Sequence, residues 1–357
     1  YEDNSTVDNK TNDLGTTRYH NVGLFSRIAS NVNITVNKLG IDYTYINHYA
    51  AASPFFGDVG ENTGINYITI DQCYVGEDVY LNSYDAGTFV GANQRANITI
   101  TNSYSLGTAN DVAFAKSCFI ADNYKSVFAI RNCYNANGTI FGSWNNDNIA
   151  VNCTNNYATG YDIDKATGPE AMYATMIDAE NMQGPDVFTN PKKMPKLNSN
   201  GKFVAEEGYP TLVAFLGYEI NVDEAVWDGS EVAPTNTDEQ GNVLISTAEE
   251  LAYIVKNGGG ANYKLTNDIY LNATDYINWE TGEVTPGYIP NSWYYNTAFQ
   301  GNIDGNGYTV YGLYYNDPGT AGWGYQGVGL IPRVGAGTSV TIKNLAVDYA
   351  YVSATQG

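Results

Sequence analysis

Positive charge is scarce in this chain. Its 357 residues carry 17 Lys and Arg against 38 Asp and Glu, a formal net charge of −21. So acidic a surface repels nucleic acid and anionic lipid, which sets both aside as partners. Histidine is almost missing: His20 and His48 are the only two. Neither lies in an HExxH pattern, so both read as solvated loop residues. The four cysteines, Cys73, Cys118, Cys133 and Cys153, have no CxxC or zinc-ligand spacing. Their even number permits disulfides, but the strand pattern below favours inward-facing thiols. No apolar run is long enough to span a bilayer, and no signal peptide follows Tyr1. Any export signal or wall anchor is therefore expected outside this segment. A GxSxG elbow, a P-loop and a dinucleotide fingerprint are all missing. Little Leu beside 37 Gly and 31 Tyr argues for short strands and many turns.

What the chain has is repetition. Residues 23–46 and 329–352 are two copies of one segment, 306 positions apart (329 − 23 = 306) and without a gap. Gly23, Leu24, Arg27, Thr35, Leu39, Asp42, Tyr43 and Tyr45 recur as Gly329, Leu330, Arg333, Thr341, Leu345, Asp348, Tyr349 and Tyr351. Most other changes exchange one aliphatic residue for another, as Ile34 for Val340. A period this long repeats a whole domain, so the chain reads as part of a tandem array. Tyr1-Glu2-Asp3 corresponds to Tyr315-Asn316-Asp317, which places the first residue inside a repeat.

A shorter rhythm runs within the first half. Ile68-Thr69-Ile70-Asp71-Gln72-Cys73-Tyr74 is followed 30 residues later by Ile98-Thr99-Ile100-Thr101-Asn102-Ser103-Tyr104. Another 30 residues lead to Phe128-Ala129-Ile130-Arg131-Asn132-Cys133-Tyr134, and Ile149-Ala150-Val151-Asn152-Cys153 closes the series with a register slip. Apolar–polar alternation marks each as a strand with one buried face. Between them lie Phe55-Phe56-Gly57, Phe89-Val90-Gly91 and Ile140-Phe141-Gly142, while Phe114-Ala115-Lys116 lacks the expected glycines. Short strands stacked many times predict an all-β fold: a parallel β-helix, or solenoid, that buries one continuous core.

Gly87-Thr88-Phe89-Val90-Gly91 followed by Ile98–Gly107 resembles the GLUG motif of bacterial surface proteins. The stretch from Phe299 to Val310 resembles the first coils of the same right-handed parallel β-helix proteins. The resemblance covers most of the chain. It implies a surface-exposed solenoid with short capping helices, repeated in tandem, rather than any one activity.

Boundaries follow from composition. Residues 1–217 read as the C-terminal portion of one module. The segment 174–184 reads as a short helix that Gly184 can stop, and 209–215 as a closing strand. Residues 218–240 carry many acids with no Lys or Arg and read as a linker. Residues 241–357 read as the N-terminal portion of the next module. There Thr247-Ala248-Glu249-Glu250 is a capping box that opens a helix over 248–257, stopped by Gly258–Gly260. Such a helix would cover the open end of a β-helix.

Chemistry is sparse. Asp71 and Arg131 hold equal offsets before their Cys, which sets them two strands apart on one face, as a surface ion pair or, less simply, a catalytic pair. Asp42 and Asp348 sit in duplicated DYxY segments; a repeated site fits binding, while a turn-forming Asp is the plainer account. Tyrosine clusters at Tyr43, Tyr45 and Tyr49, at Tyr308, Tyr311, Tyr314 and Tyr315, and at Tyr294-Tyr295 after Trp293, and the second DYxY copy adds Tyr349 and Tyr351. Such rings either stack on sugar faces or form ladders that only stabilise the fold. Asn33, Asn97, Asn137, Asn152 and Asn272 head Asn-x-Ser/Thr triplets, which arise by chance in a chain this rich in Asn and Thr. No cofactor is expected; scattered structural Ca²⁺ is the one metal reading that the acids leave open.

The sequence thus predicts a non-enzymatic, extracellular or wall-attached bacterial fibre or adhesin segment. Its expected partners are further modules, copies joined head to tail, and a glycan or surface protein. A polysaccharide lyase or hydrolase, or a non-catalytic carbohydrate-binding module, is the alternative.

Overall fold

The three alternating segments spaced by 30 residues do become strands with one buried face and pair parallel. The fourth gives only the two-residue strand Ile149–Ala150, where the slip leaves Ile149 and Val151 exposed. The computed structural model describes residues 22–47, 51–60, 64–83, 85–111, 117–142, 147–159, 173–216, 226–295, 297–317 and 328–354. It is 47% strand and 7% helix, without a closed barrel. No helix among the described residues is long and apolar enough to cross a membrane.

Three sets of parallel strands carry the fold. The first runs Val243–Ile245, Asn262–Leu265, Asn302–Asp304, Ser339–Ala354, Asn33–Asn47, Asn66–Asp71, Ala96–Thr101, Val127–Arg131 and Ile149–Ala150. The second runs Ile269–Tyr270, Thr309–Asp317, again Ser339–Ala354 and Asn33–Asn47, then Tyr74–Ser83, Tyr104–Ser105, Tyr134–Asn135 and Tyr157–Ala158. The third is a six-stranded sheet from Ile331–Val334 through Phe25–Ile28, Phe56–Val59, Val90–Gln94 and Cys118–Tyr124 to Thr139–Phe141. The 30-residue rhythm is the register itself, since Ile68 pairs with Ile98 and Ile98 with Phe128. The slip expected in the last member is present. Val127 pairs with Ile149, an offset of 22, but Arg131 with Thr154, an offset of 23.

Residues in register form columns across the strands. Val340, Ile34, Ile68, Ile98 and Phe128 make one buried column, and Ile342, Val36, Ile70, Ile100 and Ile130 another. Each such side chain contributes roughly 1.5–3 kcal/mol by leaving water. Cys73, Cys118 and Cys133 are free and buried, and Cys153 is free and half-buried, so the inward-thiol reading holds among the described residues.

A polar column turns the corner after the first set. Asn344, Lys38, Gln72, Asn102, Asn132 and Asn155 all adopt φ between 50° and 59°. Asparagine tolerates this left-handed region because its amide bonds locally. Here the amides also bond along the column, Asn155 to Asn132 at 3.0 Å and Asn132 to Asn102 at 3.2 Å. Aromatic ladders run beside it. Tyr74, Tyr104 and Tyr134 stack at 5.3 and 5.1 Å, and Tyr80, Tyr45, Tyr351 and Tyr314 at 5.4, 6.3 and 5.6 Å.

The two portions expected in series are instead stacked on each other. The copies 23–46 and 329–352 are neighbours, in register from Asn33↔Ser339 to Asn47↔Ser353. In space the later portion comes first: 226–354, then 22–216. The chain returns along the first tyrosine ladder through 178–216, which buries Met182, Val187, Met194, Leu197, Phe203 and Leu212 against it. Phe215 meets the edge of Tyr74 at 4.8 Å, and Trp227 then packs on Trp293 at 5.3 Å. The acidic stretch 218–240 is described only from residue 226. There it is docked, because Trp227 is buried and Val226 bridges Tyr270.

Some local expectations change. The segment 174–184 is a two-residue strand, Thr175–Met176, and a 3₁₀ turn, Ala179–Met182, rather than an α-helix. Asp178 has the backbone of a cap, but its side chain makes no capping hydrogen bond. Residues 114–116 lie outside the described residues. The strand of that step is Cys118–Tyr124, with Ala121 where its neighbours carry Gly91 and Gly142. The capping helix forms over Ala248–Lys256: the Glu250 amide donates to Thr247 Oγ1, and its carboxylate accepts from the Ser246 amide and hydroxyl. Asn272 is fully enclosed, with Nδ2 donating to the carbonyls of Asn291 and Gly312, so its triplet is structural.

Candidate functional site

Stacking of the two copies brings both DYxY segments to one place. Ile41 pairs with Val347 and Thr44 with Ala350, while the pairing skips the Asp-Tyr between them. Tyr349 adopts φ 50°, a conformation that its copy Tyr43 does not share. On the other flank of Asn33–Asn47 the register shifts, since Ile41 pairs with Val75 but Tyr43 with Asp78. This bulge carries Glu77 and Asp78 towards Asp42.

Gly40 is what lets the site close. Tyr74 Oη donates to Asp42 Oδ2 at 2.5 Å. Its ring lies over Gly40, where a Cβ would meet ring carbon at 2.2 Å. From the later portion, residues 274–289 cover the two tyrosine columns. Trp279 packs edge-on against Tyr349 at 6.0 Å, and Tyr43 and Tyr349 lie 5.6 Å apart. Gly282, at φ +71°, crosses directly over the Tyr351 ring.

The electrostatics are of one sign. Loss of solvent, then the charge of Asp42 and Asp78, pushes Asp348 up to about 6. Asp42 is raised by loss of solvent around its carboxyl and by Asp78 and Glu77, against the lowering effect of the Tyr74 hydroxyl. Desolvation raises Tyr43, helped by Glu280 and Asp78, and raises Tyr349, helped by Asp348, Asp275 and Asp78. Such a cluster takes up protons in weak acid and is screened by salt.

The sign of the linkage follows. Asp348 titrates higher folded than its ordinary value of 3.8, so the folded chain binds the extra proton. The stability that Asp348 contributes is greatest below the ordinary value and is lost as pH rises from there through about 6. Asp348→Asn should flatten that slope and stabilise the chain at pH 7 by on the order of 1–2 kcal/mol. Urea denaturation of both proteins between pH 4 and 8 measures it; parallel curves would refute the coupling.

Not every residue singled out by sequence belongs here. Asp42, Tyr43, Tyr45, Asp348, Tyr349 and Tyr351 converge, but Tyr351 is enclosed in its ladder and offers no free ring face. Trp293, Tyr294 and Tyr295 form a separate packing group. Trp293 is buried between Trp227 and Tyr295, with Nε1 donating to the Leu330 carbonyl, and Tyr294 stacks on Tyr315 at 5.4 Å. The exposed aromatic surface expected there is a core contact. His20 and His48 lie outside the described residues. Asp71 and Arg131 do share a column two strands apart, yet the Asp71 carboxylate is bonded to amides and a hydroxyl.

Sequence reasoning missed Tyr74, Asp78, Trp279 and Glu280. Gly40, two residues before Asp42, was the available signal for Tyr74. Among the described residues no group of three or more His, Cys, Asp or Glu is placed to hold a metal ion. Compared with family models, with curated proteins and with solved structures, the chain gives no match.

Proposed function

We propose that this chain is a structural segment of a secreted or cell-surface bacterial fibre or adhesin. In this reading the three parallel strand sets are faces of one right-handed β-helix of the GLUG-like kind, the hand that crossover connections between parallel strands prefer. The observation that carries it is the in-register stacking of one copy of the repeat on the other. A fold whose repeats pair with themselves extends by adding repeats, and extension serves reach and avidity. Its partners are then modules of the same kind and a glycan or protein at a neighbouring surface.

Negative-stain microscopy of the purified chain tests the architecture. Nine strands in the first set at about 4.8 Å each give an elongated body on the order of 40 Å along the stack. A flat two-layer particle would exclude it. A glycan array with and without Asp42→Asn tests the binding part.

One observation favours a second reading. A carboxyl titrating near 6 beside a second carboxylate is what a hydrolase of acidic polysaccharide uses as its proton donor. Depolymerisation of pectin or alginate that Asp348→Asn abolishes would place this reading first.

A further inference from the structure

We propose that the joint between the two copies is exchangeable, and that its partner is a second copy of this chain. The half 226–354 of one molecule would stack on the half 22–216 of another, through the contacts the chain makes with itself.

The joint is built like an interface between molecules. Every described strand set that crosses it does so by hydrogen bonds and side-chain packing. Gly23 N donates to the Val328 carbonyl at 3.3 Å, Ile331 N to Leu24 at 3.0 Å, and Asn33 N to Thr338 at 3.0 Å. Ser26 Oγ donates to the Pro332 carbonyl at 2.7 Å. Phe25 pairs with Ile331, and twelve further positions pair between Asn33–Asn47 and Ser339–Ala354. The halves are joined covalently only through the chain between residues 216 and 226, which lies away from the joint in sequence. Each half also carries its own cover: the helix Ala248–Lys256 on one, the segment 178–216 on the other.

The connection does not force closure within one chain. Phe215 rests on Tyr74 and Trp227 on the carbonyl of Tyr270. Between those strands lie four steps, from Tyr74 by way of Gly40, Ala346 and Thr309–Val310 to Ile269–Tyr270. Four steps of about 4.8 Å come to roughly 19 Å, whereas the ten Cα-to-Cα steps from residue 216 to residue 226 reach up to about 33 Å. A length of chain that suffices for closure suffices equally for the halves to lie beside those of a second chain. A tether this short holds its ends at an effective concentration in the millimolar range, so dilute protein closes on itself. A reciprocal dimer makes both joints again and loses only association entropy, so concentration decides between them.

Thr35 and Thr341 face each other across the joint on its half-exposed side. Thr35→Cys and Thr341→Cys are made in separate chains, unfolded together, refolded together and oxidised. A disulfide linking positions 35 and 341 of two chains, identified by peptide mass, is the expected product. Its yield should rise with concentration and be at least about fivefold higher than after mixing the native proteins, because exchange requires the joint to open. The double variant should cross-link within one chain when dilute. The proposal fails if co-refolding yields no such disulfide while the double variant still closes internally. It fails equally if each single variant dimerises alone as readily as the pair, or if the double variant forms no cross-link between these positions.

Discussion

Gly91→Val should cost the fold about 3–5 kcal/mol, more than an ordinary core substitution. A Cβ at Gly91 would stand 2.7 Å from Ala52 N, 2.7 Å from the Gly57 carbonyl oxygen and 2.8 Å from that of Ala52. All three are backbone atoms held in strands or at their ends, so none can swing aside as a side chain would. Gly91 is one member of a column of small residues in the six-stranded sheet: Pro332, Ser26, Gly57, Gly91, Ala121 and Gly142. At Gly57 the obstacle is again backbone, the Ser26 and Val22 oxygens at 2.6 and 2.7 Å. Gly91→Ala should lose less than the valine, since one methyl needs a smaller shift. Ala121→Gly, one strand further on, should cost about 1 kcal/mol or less, the ordinary entropy of a strand glycine. Urea denaturation followed by circular dichroism ranks the three. A valine that leaves the midpoint unmoved would show that these strands are not packed this closely.

Asp71→Ala should cost about 2–4 kcal/mol. The Asp71 carboxylate accepts four hydrogen bonds: from Asn37 Nδ2 at 2.9 Å, Gln72 Nε2 at 2.9 Å, Thr101 Oγ1 at 2.6 Å and Asn102 Nδ2 at 2.7 Å. Asn37 lies on the strand before it and Thr101 on the strand after, so one side chain ties three parallel strands. Bonds to a charged acceptor contribute about 1.5–3 kcal/mol each in isolation, but partial exposure and shared partners keep the sum well below four times that. Asp71→Asn should fall between, because its amide nitrogen turns a donor towards donors. Hydrogen exchange at strands Asn33–Asn47 and Ala96–Thr101 locates the loss. Faster exchange confined to Asn66–Asp71 would mean that the carboxylate ties nothing beyond its own strand.

Both residues show which parts of the fold the sequence discloses. Alternation in Ile68-Thr69-Ile70 and its repeats gave strand, register and buried face together, because period two leaves only one way to hide the isoleucines. The glycine after Phe56 and Val90 was visible as a motif; its cause, backbone of two neighbouring strands closing on one Cα, was not. Asn102 and Asn132 were legible as members of a repeat but not as left-handed corner residues, since polar residues before Cys or Ser also fit a strand end. The helix at Ala248–Lys256 was readable from its cap, its apolar face at Leu251, Ile254 and Val255, and the glycines that follow it. The segment 174–184 misled because Gly184, read as a helix stop, follows only a 3₁₀ turn whose Met182 packs against the tyrosine ladder.

For the site, the duplicated Asp and Tyr were plain in the sequence, but their meeting was not. Distance along the chain, 306 residues between copies, hides a contact that only register reveals. Trp293 misled in the opposite sense. Three aromatic residues in a row look like a platform, yet Trp227 packs on Trp293 and Tyr315 stacks on Tyr294, and nothing local to Trp293 announces a partner so far away.

The 30-residue offset that pairs Ile68 with Ile98 and Phe128 has a genetic corollary. Loss or gain of one whole offset leaves each neighbouring edge facing the same kind of edge as before. Unequal crossover in such a gene can therefore lengthen or shorten the molecule in increments of about 4.8 Å without a new turn or a new core being invented.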